Sequence, residues 1–494
     1  MQNSSSFLWL ILGALLNTSS GGRWAIAACA WLAPVFLLHF ARVHRRIAGM
    51  MWLWLALFAS VYWAYRGAIP APALATVAIS AAIALAALLP FLADRLISPR
   101  IPGFASTLVF PLAWVAVEFG AARWSPYGTW GALAYTQYGN LALMQLASAT
   151  GTVGIAFLVA WFASVLNWAW DRDFGWAAVR TGLLVYAVAW SLAMVFGGAR
   201  LVFGETATRT VRIAAIGWPE GIVARPEYLR ALEPDLPKEE REKLRSAFQR
   251  VHDYFLEASR REARAGAKIL VWPEANAMVF QENESAFLER VQRLAHEENV
   301  YVLVGIAAVN SGSDRPLENK AVLIDQAGAV ALSYVKAIPV PGFEARISRH
   351  GTRQILTSDS AYGRLATAIC FDLDYPSYIR QVGASKADLL LVPASDWEAI
   401  KLLHHVAAVF RAVENGVPMV RATRWGLSAA VDPQGRVLAE VDAFIAGDHV
   451  MVAQVPVGSV STLYARFGDW FAWLCVAALL VLFVWSRMSA IPHR

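Results

Sequence analysis

Three side chains that could together carry out acyl chemistry each stand at the end of a short β-rich run. Glu274 closes Leu270-Val271-Trp272-Pro273-Glu274, Lys336 closes Leu332-Ser333-Tyr334-Val335-Lys336, and Cys370 closes Ala366-Thr367-Ala368-Ile369-Cys370. Strand ends on one edge of a sheet converge in space, so residues far apart in the chain can meet there. A thiolate is a competent nucleophile toward an acyl carbon. A nearby carboxylate can take the thiol proton, and an ammonium group can lower the thiol pKa and stabilise an oxyanion. Such a trio needs no histidine, metal or cofactor. Singly, each residue has a plainer reading: a cysteine ending an apolar strand is more often a small buried hydrophobe, and a glutamate or lysine after a strand is usually a solvated loop charge. The combination carries the case. His404 and His405 offer a weaker thiol-histidine alternative, because their amphipathic segment reads as helix surface or packing.

Cys370 stands out for a second reason. The chain holds three cysteines, and Cys29 and Cys475 lie inside apolar runs, which leaves Cys370 alone in the polar part of the sequence. No disulfide can form within that part, so a lone thiol persists there even in an oxidising compartment.

The elements that must position the trio lie in residues 199–466. β-rich runs recur at Val211–Ile216, Lys268–Trp272, Val300–Gly305, Ala321–Ile324, Val330–Val335, Leu365–Ile369, Asp388–Val392, Pro418–Ala422, Ser428–Val431 and His449–Val455. Charged amphipathic segments intervene at Lys238–Ala265, Glu284–Glu298 and His404–Asn415. This alternation predicts one layered α/β domain. Asp325-Gln326-Ala327-Gly328 and Asp432-Pro433-Gln434-Gly435 are expected as turns between strands.

The rest of the chain belongs in lipid. Hydrophobic residues make up 57% of the 494, more than soluble domains carry, and the 21 tryptophans suit the boundary between hydrocarbon and water. Apolar stretches near Phe7–Leu16, Trp24–Phe40, Met50–Tyr65, Ala71–Ala93, Phe104–Gly120, Leu143–Trp170, Thr181–Phe196 and Trp470–Trp485 predict about eight spans. Seven fall in residues 1–198, and one, with a short tail, in 467–494. Met1–Ser6 lacks a basic start and no small-residue cleavage site follows, so the first apolar segment is expected to stay attached. With the amino terminus in the cytoplasm, inner loops hold Arg42, Arg45, Arg46, Arg95, Arg100, Arg172, Arg180, Arg487 and Arg494, and outer loops only Arg23, Arg66 and Arg123. That asymmetry places residues 199–466 outside the cytoplasm. It also accounts for the net charge of +6 without a nucleic-acid partner.

Beyond the trio, Trp114–Glu118, Trp130-Gly131-Ala132-Leu133-Ala134-Tyr135-Thr136-Gln137, Gly151–Leu158 and Tyr464-Ala465-Arg466-Phe467-Gly468-Asp469-Trp470 carry a resemblance over nearly the full length. The chain resembles the apolipoprotein N-acyltransferases, a membrane-embedded family of the nitrilase superfamily. The resemblance implies a helical membrane bundle joined to an α-β-β-α sandwich. It makes Cys370 the nucleophile, Glu274 the base and Lys336 the oxyanion partner. Glu344, eight positions after Lys336, takes the place of a further functional glutamate, though alone it reads equally as a solvated loop carboxylate. Phe371 and Asp372 stand where the family usually has Tyr-Glu, and Trp397 aligns within Ser395-Asp396-Trp397-Glu398-Ala399-Ile400 in place of Asn-Asp-Ala-Trp-Phe-Gly. The segment between Lys336 and Cys370 is shorter than usual.

By this resemblance the acyl donor is a membrane phospholipid, and the acceptor is the α-amino group of a diacylated apolipoprotein. The reaction would run through a Cys370 thioester on the periplasmic side of the bacterial inner membrane, with no cofactor or metal. A membrane-tethered amidase hydrolysing a carbon-nitrogen bond is the nearest rival. A transporter or scaffold with a dead nitrilase domain is disfavoured by the intact trio. It is disfavoured too by spans whose only deep charge is Glu118, near one end.

Overall fold

The computed structural model describes residues 2–44, 47–204, 209–218, 229–445, 447 and 449–488. Arg45, Arg46 and Arg494, placed on inner loops by the sequence, lie outside the described residues. The chain divides into two compact units, Met1–Gly204 together with Phe467–Arg494, and Glu205–Arg466.

The first unit is helical, as hydrocarbon demands of a chain that must satisfy every backbone N–H and C=O within each segment. Among the described residues, six helices are long and apolar enough to cross a membrane: Ile47–Ala64, Ala73–Arg100, Gly103–Trp124, Thr152–Trp170, Trp176–Phe203 and Trp470–Met488. The first two expected spans are shorter apolar helices, Ser6–Thr18 and Ala27–Val43. The stretch Leu143–Trp170, expected as one span, is broken at Gly151, whose φ of +70° is open to glycine without strain. The helix Trp176–Phe203 runs on past residue 198 and stops at Gly204.

Two acids in the helices of this unit have defined partners. Arg42 binds Asp94 through Nε and Nη2 at 2.9 Å each and reaches Asp171 at 3.1 Å. Asp94 thus becomes a second acid inside a span, one residue beyond the expected end of its stretch. Glu118 Oε1 accepts hydrogen bonds from Trp114 Nε1 at 2.9 Å and from the backbone of Leu133 at 2.8 Å. The acid singled out in a span therefore fastens the Leu133–Gln137 turn to its helix.

The second unit is a two-sheet sandwich. One sheet contains β1 (Thr210–Ala215), β2 (Ile269–Val271), β3 (Ala277–Phe280), β4 (Tyr301–Val309), β5 (Leu317–Ile324), β6 (Val330–Val335) and β13 (Met451–Pro456). Its order is β13-β1-β2-β4-β5-β6, with β3 also paired to β4. The other contains β7 (Leu356–Ser360), β8 (Gly363–Thr367), β9 (Leu389–Ala394), β10 (Met419–Thr423), β11 (Leu427–Val431) and β12 (Val437–Asp442), in the order β12-β11-β10-β9-β8-β7. The sheets touch through β1 against β10 and through β2 and β4 against β9. Every residue of β4, β9, β10 and β11 is buried, which explains why β4 and β9 read as continuous apolar runs; β10 carries the buried Arg421 and β11 the buried Ser428. Helices Lys238–Arg264 and Glu284–Glu298 cover the first sheet; Lys401–Asn415 packs on β11 and against Pro376–Ala384. Both expected turns close hairpins: Asp325 Oδ1 accepts from the N–H groups of Ala327 and Ala329, and Asp432 Oδ1 from those of Gln434 and Arg436.

Candidate active site

Glu274 follows β2 and Lys336 follows β6, both in the first sheet, whereas Cys370 follows β8 in the second. The trio therefore meets at the seam between two sheets rather than along one sheet edge. The seam is stitched at this point: the backbone N–H of Glu274 donates to Ala394 O, at the end of β9, over 3.3 Å.

Lys336 is only 1% exposed. Its Nζ lies 2.7 Å from Glu274 Oε1 and 2.9 Å from each oxygen of Glu344. Glu344, on the helical turn Phe343–Ile347, is held by the Val340 N–H at 2.8 Å, so it is not a solvated loop charge. A fourth member is Asn319 on β5, whose Nδ2 donates to Glu274 Oε1 at 2.7 Å and to Glu344 Oε1 at 2.9 Å. Burial works against a charged Lys336, but the two carboxylates outweigh it and raise the lysine well above its ordinary pKa. The ammonium is permanent, and with both glutamates ionised the cluster carries one net negative charge.

Cys370 opens the short helical turn Cys370–Asp374 and takes a φ of +46°, which costs a non-glycine residue about 1–2 kcal/mol. Asp372 holds it there. Its carboxylate accepts from the N–H of Ile369 at 2.9 Å, from the N–H of Ile338 at 2.9 Å and from Tyr334 Oη at 2.6 Å. The cysteine turn is thereby tied to the chain on both sides of Lys336. Burial pushes the Asp372 carboxyl up to about 7, with the Tyr334 hydrogen bond pulling it back down. The Cys370 thiol lies 3.6 Å from Ser395 O. Burial, then the Glu274 carboxylate, push its pKa well up, and Lys336 draws it down. The resting group is thus a thiol, and loss of its proton to bulk water would leave two net negative charges in a buried site. Transfer to Glu274 keeps the total at one.

Cys370 Sγ, an Asp396 carboxylate oxygen and a His404 nitrogen lie within 4.8 Å of one another, a spacing a metal ion could use. Both Asp396 oxygens, however, are already engaged by Arg421 at 2.8 and 2.9 Å. The cation this carboxylate needs is built into the fold.

Residues 12–165 match the model of the apolipoprotein N-acyltransferase N-terminal domain, and residues 237–464 that of the carbon-nitrogen hydrolases. The apolipoprotein N-acyltransferase of Geobacter metallireducens is 28% identical over 79% of this chain and 76% of its own length. That of Bradyrhizobium diazoefficiens is 26% identical over 73% and 70%. The chain belongs to the apolipoprotein N-acyltransferase family. An amidase structure from Nesterenkonia sp. also aligns, at 22% identity and a TM-score of 0.41, over 56% of this chain and 97% of the amidase.

Within this acyltransferase, the remaining residues singled out in the sequence stand on the cysteine turn, just after β9 or, for the two histidines, on the helix Lys401–Asn415. Phe371 is fully buried, its ring 5.7 Å from that of Tyr375 and 6.3 Å from that of His404. Asp372 is equally buried and bonded to the scaffold. Trp397 is half-buried, 6.5 Å from the His404 ring. His404 and His405 are both buried, so neither is helix surface. Asn319 was not apparent in the sequence. The available signal was a polar residue, in Leu317-Glu318-Asn319-Lys320, leading into an otherwise apolar strand.

Proposed function

We propose that this N-acyltransferase of the bacterial inner membrane moves an acyl chain from a phospholipid to the α-amino group of a diacylglyceryl-cysteine at a lipoprotein's amino terminus. Glu274, Lys336 and Cys370 are the catalytic residues of this reading. What carries it is the buried Glu274–Lys336–Glu344 cluster beside a strained, protonated cysteine, in a chain that also has the family's membrane domain.

Cys370 Sγ attacks the ester carbonyl as its proton passes to Glu274. Lys336 stabilises the oxyanion of the tetrahedral intermediate. The carbon-oxygen bond breaks, the glycerol oxygen recovers the proton from Glu274, and a lysophospholipid leaves a thioester on Cys370. The acceptor amine then attacks the thioester carbonyl and gives its proton to Glu274. As the carbon-sulfur bond breaks, the proton returns to sulfur and the amide product departs. Glu344 and Asn319 hold Glu274 and Lys336 in register for both halves. The arginine asymmetry supports placing this chemistry on the periplasmic side, where lipid-anchored acceptors would be found.

Intact mass measurement after incubation with phospholipid tests the reading. The expected result is an acyl adduct that hydroxylamine removes, that Cys370→Ala and Cys370→Ser do not form, and that a diacylated lipopeptide with a free α-amine discharges to a triacylated product. Turnover without an adduct on Cys370 would reject the thioester. Discharge by water as fast as by lipopeptide, or release of ammonia from small amides with phospholipid untouched, would favour the amidase.

A further inference from the structure

A second group of buried charges adjoins Cys370, separate from the Glu274–Lys336–Glu344 cluster. Asp374 closes the turn that Cys370 opens, and Asp396 follows Ser395, whose carbonyl faces the thiol. His404 sits between the two acids: Nδ1 lies 2.9 Å from Asp396 Oδ1, and Nε2 lies 3.5 Å from Asp374 Oδ2. Arg421, on β10, binds both oxygens of Asp396. All four are at most 4% exposed. The charges facing His404 are Asp374 from the cysteine turn, Asp396 from the end of β9 and Arg421 from β10, and Arg411, on the helix of His404, acts on Asp374.

The arithmetic of this group bears directly on the nucleophile. Arg411 is neutralised by Glu414 at 3.0 Å, so the two carboxylates and the Arg421 guanidinium leave a net charge of −1 close to sulfur, and only a protonated His404 brings the total to zero. We propose that His404 is a positioning residue for Cys370: as an imidazolium between Asp374 and Asp396 it holds the Ser395–Asp396 segment against the thiol and cancels the negative charge that would oppose thiolate formation. Burial disfavours the imidazolium, but Asp374 and Asp396 together raise the His404 pKa. Asp396 stays below the ordinary carboxylate range despite its burial, chiefly because of Arg421 and then His404. The inference rests on Cys370 being the nucleophile of the acyl-transfer reading.

The test uses the full-length protein in detergent with Cys29 and Cys475 replaced by alanine, and follows alkylation of Cys370 by iodoacetamide against pH, which requires no acyl transfer. His404→Gln is expected to move the midpoint of the profile up by about one pH unit, equivalent to roughly tenfold slower alkylation below it. It should slow acyl-enzyme formation through kcat with little change in KM for phospholipid. Adding Asp374→Asn restores neutrality, so the double variant should recover the wild-type midpoint, a rescue that a purely structural role would not produce. An unchanged midpoint in His404→Gln, or no recovery in the double variant, would overturn the proposal. Should His404→Gln fail to fold, Asp374→Asn alone leaves an excess positive charge and should lower the midpoint; a midpoint that stays put would equally overturn it. If wild-type enzyme forms no acyl adduct, the acyl-transfer reading fails on its own measurement, whatever the alkylation profiles show.

Discussion

Replacing Lys336 with methionine separates what this residue does for stability from the catalytic role proposed for it. The ammonium lies within 2.9 Å of both Glu274 and Glu344, so the two carboxylates are close neighbours that its charge holds together. With the charge gone, two anions about 5 Å apart at an effective dielectric of about 20 repel by about 3 kcal/mol. Breaking a buried pair by removing one partner typically costs about 3–5 kcal/mol, because the other charge is left unpaired. One glutamate can escape by taking up a proton, which caps the loss but leaves the site short of a base. Lys336→Met should therefore lower the thermal midpoint of the purified protein. Acyl-adduct formation should also fall by about 100-fold or more, through lost oxyanion stabilisation.

The double variant Lys336→Met, Glu344→Gln removes the repulsion as well. Most of the thermal midpoint should return while the rate stays low. The assay pairs a thermal melt in detergent with intact mass measurement of the acyl adduct over time. A single variant as heat-stable as wild type, or a double variant that recovers the rate, would refute this account of the cluster.

Asp372→Asn should destabilise the catalytic unit by about 1–3 kcal/mol, since an amide cannot serve all three of the donors at Ile369, Ile338 and Tyr334. The Asp372 pKa is raised to about 7 on folding, so the folded state binds the extra proton and this residue's contribution declines as pH climbs from about 4 to 7. Asp372→Asn should flatten that part of the stability profile, and a slope identical to wild type would count against it. For orientation, a cysteine placed at the exposed Asp314 should react with a membrane-impermeant maleimide in intact spheroplasts. Labelling only after the inner membrane is breached would put the catalytic unit on the cytoplasmic side.

What could be read in the sequence follows the strength of the local pattern. Buried strands such as β4 and β9 are unbroken apolar runs and were legible, and β10 was legible although Arg421 interrupts it. β3, β7 and β12 were not. Ala277–Phe280 is only four residues long, Leu-Thr-Ser-Asp-Ser in β7 reads as loop, and β12 has no fully buried residue. β7 and β12 are the outer strands of their sheet, where half-exposed positions erase the apolar signal. The amphipathic helices were clear because one face must be apolar. The expected membrane stretch Leu143–Trp170 was too long because hydropathy does not register the positive φ that Gly151 permits.

For the site, side-chain type revealed the trio and spacing could not reveal its partners. Asn319 and His404 gain their importance only when two sheets and a helix bring them to one point. A polar residue leading into an apolar strand and a histidine in an amphipathic segment each have an ordinary explanation until burial rules it out. The same convergence suits the carboxylate base of the proposed mechanism better than it would suit a histidine. An imidazole that accepted the thiol proton would create a new cation beside Lys336. In the proposed mechanism Glu274 accepts it and becomes neutral, which would leave the ammonium paired with Glu344 alone and free part of its field for the oxyanion at the moment that charge appears.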